Sequence, residues 1–339
     1  MVEQGLVGSF LHVTDLEEAN YLQSLARKSR LQIPLLIGID AIHGNGLCYG
    51  TTIYPTAIGQ ASTFDTLLVK RASEETALET RATGAHWAFT PNVDIARDPR
   101  WGRTGETYGE DPFLVSAMGV VTVQGLQGNK ADKSERVLAC VKHLVGGGQS
   151  VNGRNCAPFD ASDRMLNEIF FPPFKACVEA GASTLMASHN ELNGIPCHGN
   201  KFLLTELLRD RWHFDGFVVS DWMDIERMYG QHRTVGTPEE ASIVAVNAGI
   251  DMHMHGPYFM EHIIDAVKRG QLSGEQVDNA VRKILKAKFE LGLFENPFFD
   301  EKKSKEVLFN DKHQETALQL SRESIVLLTN KGILPLDES

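Results

Sequence analysis

Seven short, almost wholly apolar runs punctuate the chain: Val7–Val13, Leu35–Asp40, Trp87–Asp94, Val137–His143, Thr184–His189, Phe217–Asp221 and Gly249–Met252. Each has the length of a β-strand but lacks the polar alternation of a strand with one wet face, so each is expected to be covered on both sides. Helical patterns lie between them. Asp65 is placed to cap a helix running toward Gly84. Thr237 before Pro238, Glu239 and Glu240, and Ser273 with Gln276, mark two further helix starts. Strand–helix units repeated in this way build a parallel sheet. Seven of them in 339 residues come close to an α/β fold of the (β/α)8 TIM-like barrel type, expected here in an irregular form because an eighth strand does not stand out.

The tail reads differently. After Phe294 the run "ENPFFDEKKSKEV" has the composition of a linker, and the closing "SIVLLTNKGILPL" is an apolar, β-like piece with nothing obvious to pack on. Residues 1–294 are therefore expected to form the barrel and 295–339 a linker leading to a second domain that this chain lacks.

Charge excludes some partners. With 33 basic and 44 acidic residues, the net charge is −11, which argues against nucleic acid and against an anionic membrane surface. No run approaches the apolar length of a membrane span, and the first residues do not read as a signal peptide. Five cysteines, at 48, 140, 156, 177 and 197, include no CxxC pair; they read as mostly buried thiols.

The polar residues gather where the apolar runs stop. Asp40, Asp94, Lys142 with His143, His189 and Asp221 each end one. In a parallel barrel the strand C-termini share one face, and residues distant in sequence meet there. Carboxylates, an amine, an imidazole and a guanidinium from Arg103 suit a ligand with many hydroxyls, a sugar. Trp222 offers a flat face to such a ring. Asp221 then stands as the carboxylate beside an anomeric carbon undergoing acetal cleavage. Blander roles weigh against each: a turn cap for Asp221, a backbone-bonded acid for Asp40, a buried pair for Lys142 and His143. The group Arg97, Asp98, Arg100, Glu106 and Asp111 reads as ion pairs holding a long loop. No cofactor is expected, because no Gly-rich dinucleotide turn and nothing apolar enough for a flavin is present. His253 and His255 in "DMHMH" alternate as metal ligands on one face would, but lack a placed carboxylate, so no metal is expected. "VGGGQSVNGRN" reads as a mobile loop over the pocket.

Four motifs in order, "GIDAIHG" (38–44), "RDPRWGRTGETYGEDP" (97–112), "KHLVGGG" (142–148) and "VVSDWMDI" (218–225), give a resemblance to the N-terminal barrel of family 3 glycoside hydrolases, the β-glucosidase and exo-β-glucanase type. The resemblance covers Gly5 to about Leu336. It implies retaining hydrolysis that releases a non-reducing terminal β-D-glucosyl residue, with Asp221 in "SDW" as the nucleophile. It implies that Asp40, Arg103, Lys142 and His143 bind sugar hydroxyls and that Trp222 borders the next subsite. His189 stands where many relatives have tyrosine or another residue. The Asp–His dyad of the single-domain N-acetylglucosaminidase branch is absent from "GGGQSVNGRNCAPFD", which places the acid/base in a second domain outside this chain. Within the family, β-xyloside or β-N-acetylhexosaminide specificity stays open, and the resemblance favours a periplasmic or secreted protein. Two other classes remain: a sugar-binding but catalytically incomplete barrel, and a metal-dependent hydrolase using His253, His255 and an Asp. Asp221 must be ionised to attack, and Lys142 and Arg103 are the cations expected to hold it so.

Overall fold

In the computed structural model, which describes residues 1–128 and 136–336, six of the seven apolar runs lie side by side in one parallel sheet. The strands are β1 (Ser9–Leu11), β2 (Leu36–Ile39), β3 (Trp87–Ala88), β4 (Leu138–Leu144), β5 (Thr184–Ala187) and β8 (Phe217–Val219), in that order. The seventh run touches the sheet at one parallel bridge, Val219 to Met252. A small antiparallel hairpin, β6 (Glu191–Leu192) with β7 (Ile195–Pro196), stands apart.

The absence of polar alternation has the expected cause. Successive side chains point to opposite faces of a strand, and here both faces are dry. Leu36, Trp87, Leu138, Cys140, Met186, Phe217 and Val219 pack in an inner cluster. Their neighbours Ile37, Ile39, Ala88, Ala139, Val141, Leu185 and Val218 pack outward in the main core, where residues of the surrounding helices join them. Leu11 beside β2 and Met252 beside β8 both pack on the inner cluster, so the sheet curls until its two edges share one interior. Among the described residues no further strand joins those edges. The expected eight-stranded closure is thus not seen, and the architecture is a curled parallel sheet with helices around it.

Helix Gly274–Glu290 and the residues after it close the end where the strands begin. Ala287, Leu291 and Leu293 fill the base of the inner cluster. Lys288 Nζ donates to the carbonyls of Gly8 and Pro34, just before β1 and β2, at 2.7 and 2.8 Å; burial pushes this ammonium down to about 8. The opposite end, where the strands stop, is left for a site. The helix starts form as their sequences suggest. Asp65 accepts from Leu67 and Leu68 N–H at the head of helix Thr66–Ala82. Thr237 caps helix Pro238–Ala248, and Ser273 and Gln276 make a reciprocal capping box.

The run that reads as a linker contains a helix, Glu301–Val307, capped by Asp300. Ser304 is buried there and donates to the carbonyl of Ala82. A second helix, Asp311–Glu323, follows. His313 meets the fully buried Glu79 at 2.8 Å, Thr316 donates to Glu75, and Leu320 enters the main core. The linker-like composition is that of a short polar helix whose few inward residues suffice to dock it. Beyond it, the β-like piece forms no strand. Ile325, Leu328 and Ile333 are exposed, because no neighbouring strand pairs with the segment. Residues 337–339 of the expected 295–339 segment lie outside the described residues. The five cysteines are unpaired, and all but Cys156 are buried.

Candidate active site

A cavity of about 480 Å³ opens at the strand C-termini. Its apolar lining includes Leu11, Met186 and Met254, which also pack on the inner cluster, so the top of the core lines the site. Of the residues expected in the site, Asp40, Arg103, Lys142, His143, His189, Asp221 and Trp222 all border this cavity. They are joined by His12, Glu106, Asn155 and Arg227, which sequence reasoning did not place there.

Asp40 follows β2, and Lys142 reaches it from β4. Lys142 Nζ donates to Asp40 Oδ1 at 2.7 Å, and the His12 ring nitrogen lies 2.9 Å from Oδ2. Burial works to raise the Asp40 carboxyl, but Lys142 and His12 hold it down at about 2. The register of β4 against β5 shifts between Val141 and Leu144. Across that irregularity Lys142 and His143 both border the cavity instead of alternating between faces.

Arg103 binds Glu106 with two parallel hydrogen bonds, 2.9 and 2.8 Å, and its Nη2 also lies 3.1 Å from His143 Nε2. Arginine only donates, so His143 Nε2 is the acceptor and its Nδ1–H donates to Asp94 Oδ2 at 2.8 Å. Burial and the nearby Arg103 push His143 well below the usual histidine range, in keeping with a neutral ring. Asp94 is a correction. It does not border the cavity; its carboxylate is buried behind His143. Burial lifts it to about 7, against the pull of Arg103. Its role here is to orient His143. Among the other charges of that loop, Asp98 pairs with Arg100 and Asp111 caps helix Pro112–Gln127.

Asp221 lies just past β8. Its Oδ1 accepts from Trp222 N–H at 2.6 Å and its own N–H donates to His198 Nε2 at 2.9 Å. Its Oδ2 lies 2.9 Å from His189 Nε2. Burial would raise this carboxyl, but the hydrogen bond and charge of His189 hold it far below the usual carboxylate range. Of the expected cations, Lys142 is taken up by Asp40, while Arg103, bound to Glu106 and His143, interacts with Asp221 through charge alone; the main hold comes from His189. His189, from the end of β5, turns its other nitrogen to Asp224 Oδ2 at 2.8 Å. Burial disfavours the charge on His189, yet the two carboxylates raise it to about 9. Asp224 begins helix Asp224–Gly230 and also pairs with Arg227, one turn on.

Trp222 is 45% exposed at the rim, with one face stacked on His255 at 3.9 Å. The "DMHMH" residues do not converge. His253 pairs with Glu226 and stacks on Phe259, His255 stacks on Trp222, and Asp251 is taken by Lys283 and Arg209. His189, Asp221 and Asp224 come within ligand range of one another, but both imidazole nitrogens already face carboxylates, which suits protons rather than an ion. The glycine-rich loop after β4 is packed down rather than free of the body. A Cβ on Gly148 would meet the Ile95 carbonyl at 2.5 Å and one on Gly153 the backbone at Arg100–Trp101 at 2.7 Å. Asn155, just beyond, borders the cavity.

The model of the glycosyl hydrolase family 3 N terminal domain matches residues 1–287. The chain is 39% identical to a β-xylosidase of Formosa agariphila over 96% of its length, covering 47% of that protein. It is 34% identical to the periplasmic β-glucosidase of Salmonella typhimurium over its whole length, covering 44% of that protein. Among solved structures, a β-glucosidase involved in saponin metabolism from intestinal bacteria superposes with a TM-score of 0.93 at 41% identity, over 97% of this chain and 44% of that one. The Listeria innocua β-glucosidase in complex with glucose gives 0.92 at 33% identity, over 97% and 45%. The chain spans about half the length of the relatives it matches.

Proposed function

Because the chain belongs to glycosyl hydrolase family 3, matching its N-terminal domain, we propose that it carries the nucleophile and the sugar-binding half of a retaining, exo-acting β-glucosidase. The observation that carries this reading is the setting of Asp221: a buried carboxylate kept ionised by His189 at the edge of a cavity whose other polar groups suit hydroxyls.

Asp40, with its charge secured by Lys142, accepts hydrogen bonds from sugar hydroxyls, and Lys142, Arg103 and His143 complete the hold. Trp222 supports the leaving group. Asp221 attacks the anomeric carbon as the glycosidic bond breaks, giving a glycosyl ester that water then hydrolyses. Proton delivery to the leaving group needs a second acid. Among the described residues Glu106 is the glutamate bordering the cavity, and Arg103 holds both its oxygens and its charge, a poor setting for a proton donor. We therefore assign the acid/base to a second domain beyond these residues. The support is that the relatives run to about twice this length and the family match stops at residue 287. On the same footing, residues 1–294 are read as the catalytic domain, its curled sheet as a (β/α)8-type barrel, and 295–339 as the passage to the second domain. A β-xylosidase is the second reading, favoured by the name of the relative from Formosa agariphila.

The test is a 2-deoxy-2-fluoroglucosyl fluoride, which forms the ester but hydrolyses slowly. The protein produced with its second domain is expected to gain one fluoroglucosyl mass on the peptide holding Asp221, and Asp221→Asn to gain none. An adduct on another residue, or none in wild type, would overturn the assignment. The ratio of kcat/KM for aryl β-glucoside and β-xyloside separates the two specificities.

A further inference from the structure

Histidine 189 lies between two carboxylates, one facing each ring nitrogen. Its Nε2 lies 2.9 Å from Asp221 Oδ2 and its Nδ1 2.8 Å from Asp224 Oδ2. Ionised carboxylates only accept, so a ring with one proton would set a nitrogen lone pair against an oxygen lone pair on one side. Arg227 Nη1 also lies 3.1 Å from Nδ1, but it shares its two hydrogens among three acceptors, and this contact is longer than those to Asp224 Oδ1 and the Trp222 carbonyl. Around the ring stand His143, stacked at 5.9 Å with Asp94 behind it, and His198, 3.6 Å from Asp224. His232 contacts only the His189 carbonyl, and Glu191 holds its other ring nitrogen.

We propose that the Asp224–His189 pair is a positioning device for the reaction: an imidazolium donating from both nitrogens, which fixes the Asp221 carboxylate and keeps it ionised, and whose proton sets the upper pH limit of Asp221 reactivity. This rests on Asp221 being the nucleophile. The pair acts on both ends of the same short segment. His189 holds the Asp221 carboxylate, while Asp224 faces both His189 and His198, and His198 Nε2 accepts the Asp221 N–H. Asp221 thus sits in a closed ring of contacts, with the charge of the imidazolium facing its buried Oδ2. The sign follows from the direction of the His189 shift. Its charge is present below about 9 and is lost as the pH rises through that value. Two N–H donors in fixed opposition are also something a tyrosine at this position does not supply.

The experiment is the pH dependence of kcat/KM with a 2,4-dinitrophenyl glycoside, whose leaving group needs no proton, so that the acid of the second domain leaves no alkaline limb. Wild type is expected to fall off near pH 9. Asp224→Asn is expected to move that limb down by roughly one to three pH units, since one of the two carboxylates raising His189 is gone, and His189→Phe to remove it while lowering kcat. A limb unmoved in Asp224→Asn overturns the proposal. Should that variant not fold, 15N-histidine NMR of the wild type reads the ring directly. Two N–H protons on His189 at pH 7 are expected, and a singly protonated ring overturns the idea. Failure here leaves the fluorosugar adduct on Asp221 intact; absence of that adduct removes the premise and not the protonation state.

Discussion

The Asp40–Lys142 pair should respond unequally to loss of its two members. The Lys142 side chain is 3% exposed, whereas that of Asp40 is 35% exposed and is also paired with His12 at 2.9 Å. Lys142→Met takes away the buried charge and leaves a carboxylate that water and His12 still serve. Screened as that group is, the expected loss of stability is about 1 kcal/mol or less. Asp40→Ala leaves an ammonium with little water and no carboxylate, for which the usual penalty is about 3–5 kcal/mol; the open cavity puts the expectation near the lower end. The double variant should lie close to Lys142→Met alone, a coupling equal in size to the Asp40→Ala loss, about 3 kcal/mol. Urea unfolding of the four proteins measures all of this. A Lys142→Met loss equal to or larger than that of Asp40→Ala, or simple additivity in the double variant, would refute the reasoning. The same pair predicts a pH effect. Asp40 is depressed from 3.8 to about 2, so its contribution is whole above the ordinary value and lost as pH falls through about 2. In Lys142→Met that loss should begin at higher pH, read as the acid limb of ligand binding.

Two further outcomes are expected. Glu79 is fully buried and accepts from Thr52 N–H and Oγ, His313 and Phe309 N–H, so Glu79→Ala strands several buried donors. The loss should be about 3–5 kcal/mol in urea unfolding, with helix Asp311–Glu323 gaining susceptibility to proteolysis; a loss under about 1 kcal/mol would show the network to be dispensable. Trp222→Ala should raise KM for aryl glycosides by roughly 2- to 12-fold, equivalent to about 0.5–1.5 kcal/mol of stacking, with little effect on methyl glycosides. An equal effect on both would move Trp222 off the leaving-group side.

Strand positions were legible because burial on both faces leaves an unbroken apolar run, and helix starts because caps are local chemistry. The seventh run shrank to a bridge because only Met252 comes into register with β8. The hairpin at 191–196 was missed although Asn193-Gly194 is the usual tight-turn pair. The strand-end rule named six residues, of which five border the cavity; it failed for Asp94, since the end of a run says where a residue lies along the sheet and not whether its side chain faces the opening or the layer behind. The same rule, applied to "SFLHV", would have found His12. What holds Asp221 ionised was not legible, because His189 and Asp224 approach it from different elements and nothing local marks their meeting.

The lower end of the curled sheet is stoppered by Ala287, Leu291 and Leu293, with Lys288 tied to the first two strands. On the proposed reading, the sugar that Asp221 captures sits in a cul-de-sac. Its partner group leaves first by the mouth, and the monosaccharide follows by the same doorway, last out. Free glucose should therefore compete with incoming substrate for the empty enzyme, and a tunnel-style slide along a polymer is ruled out by the masonry at the far end.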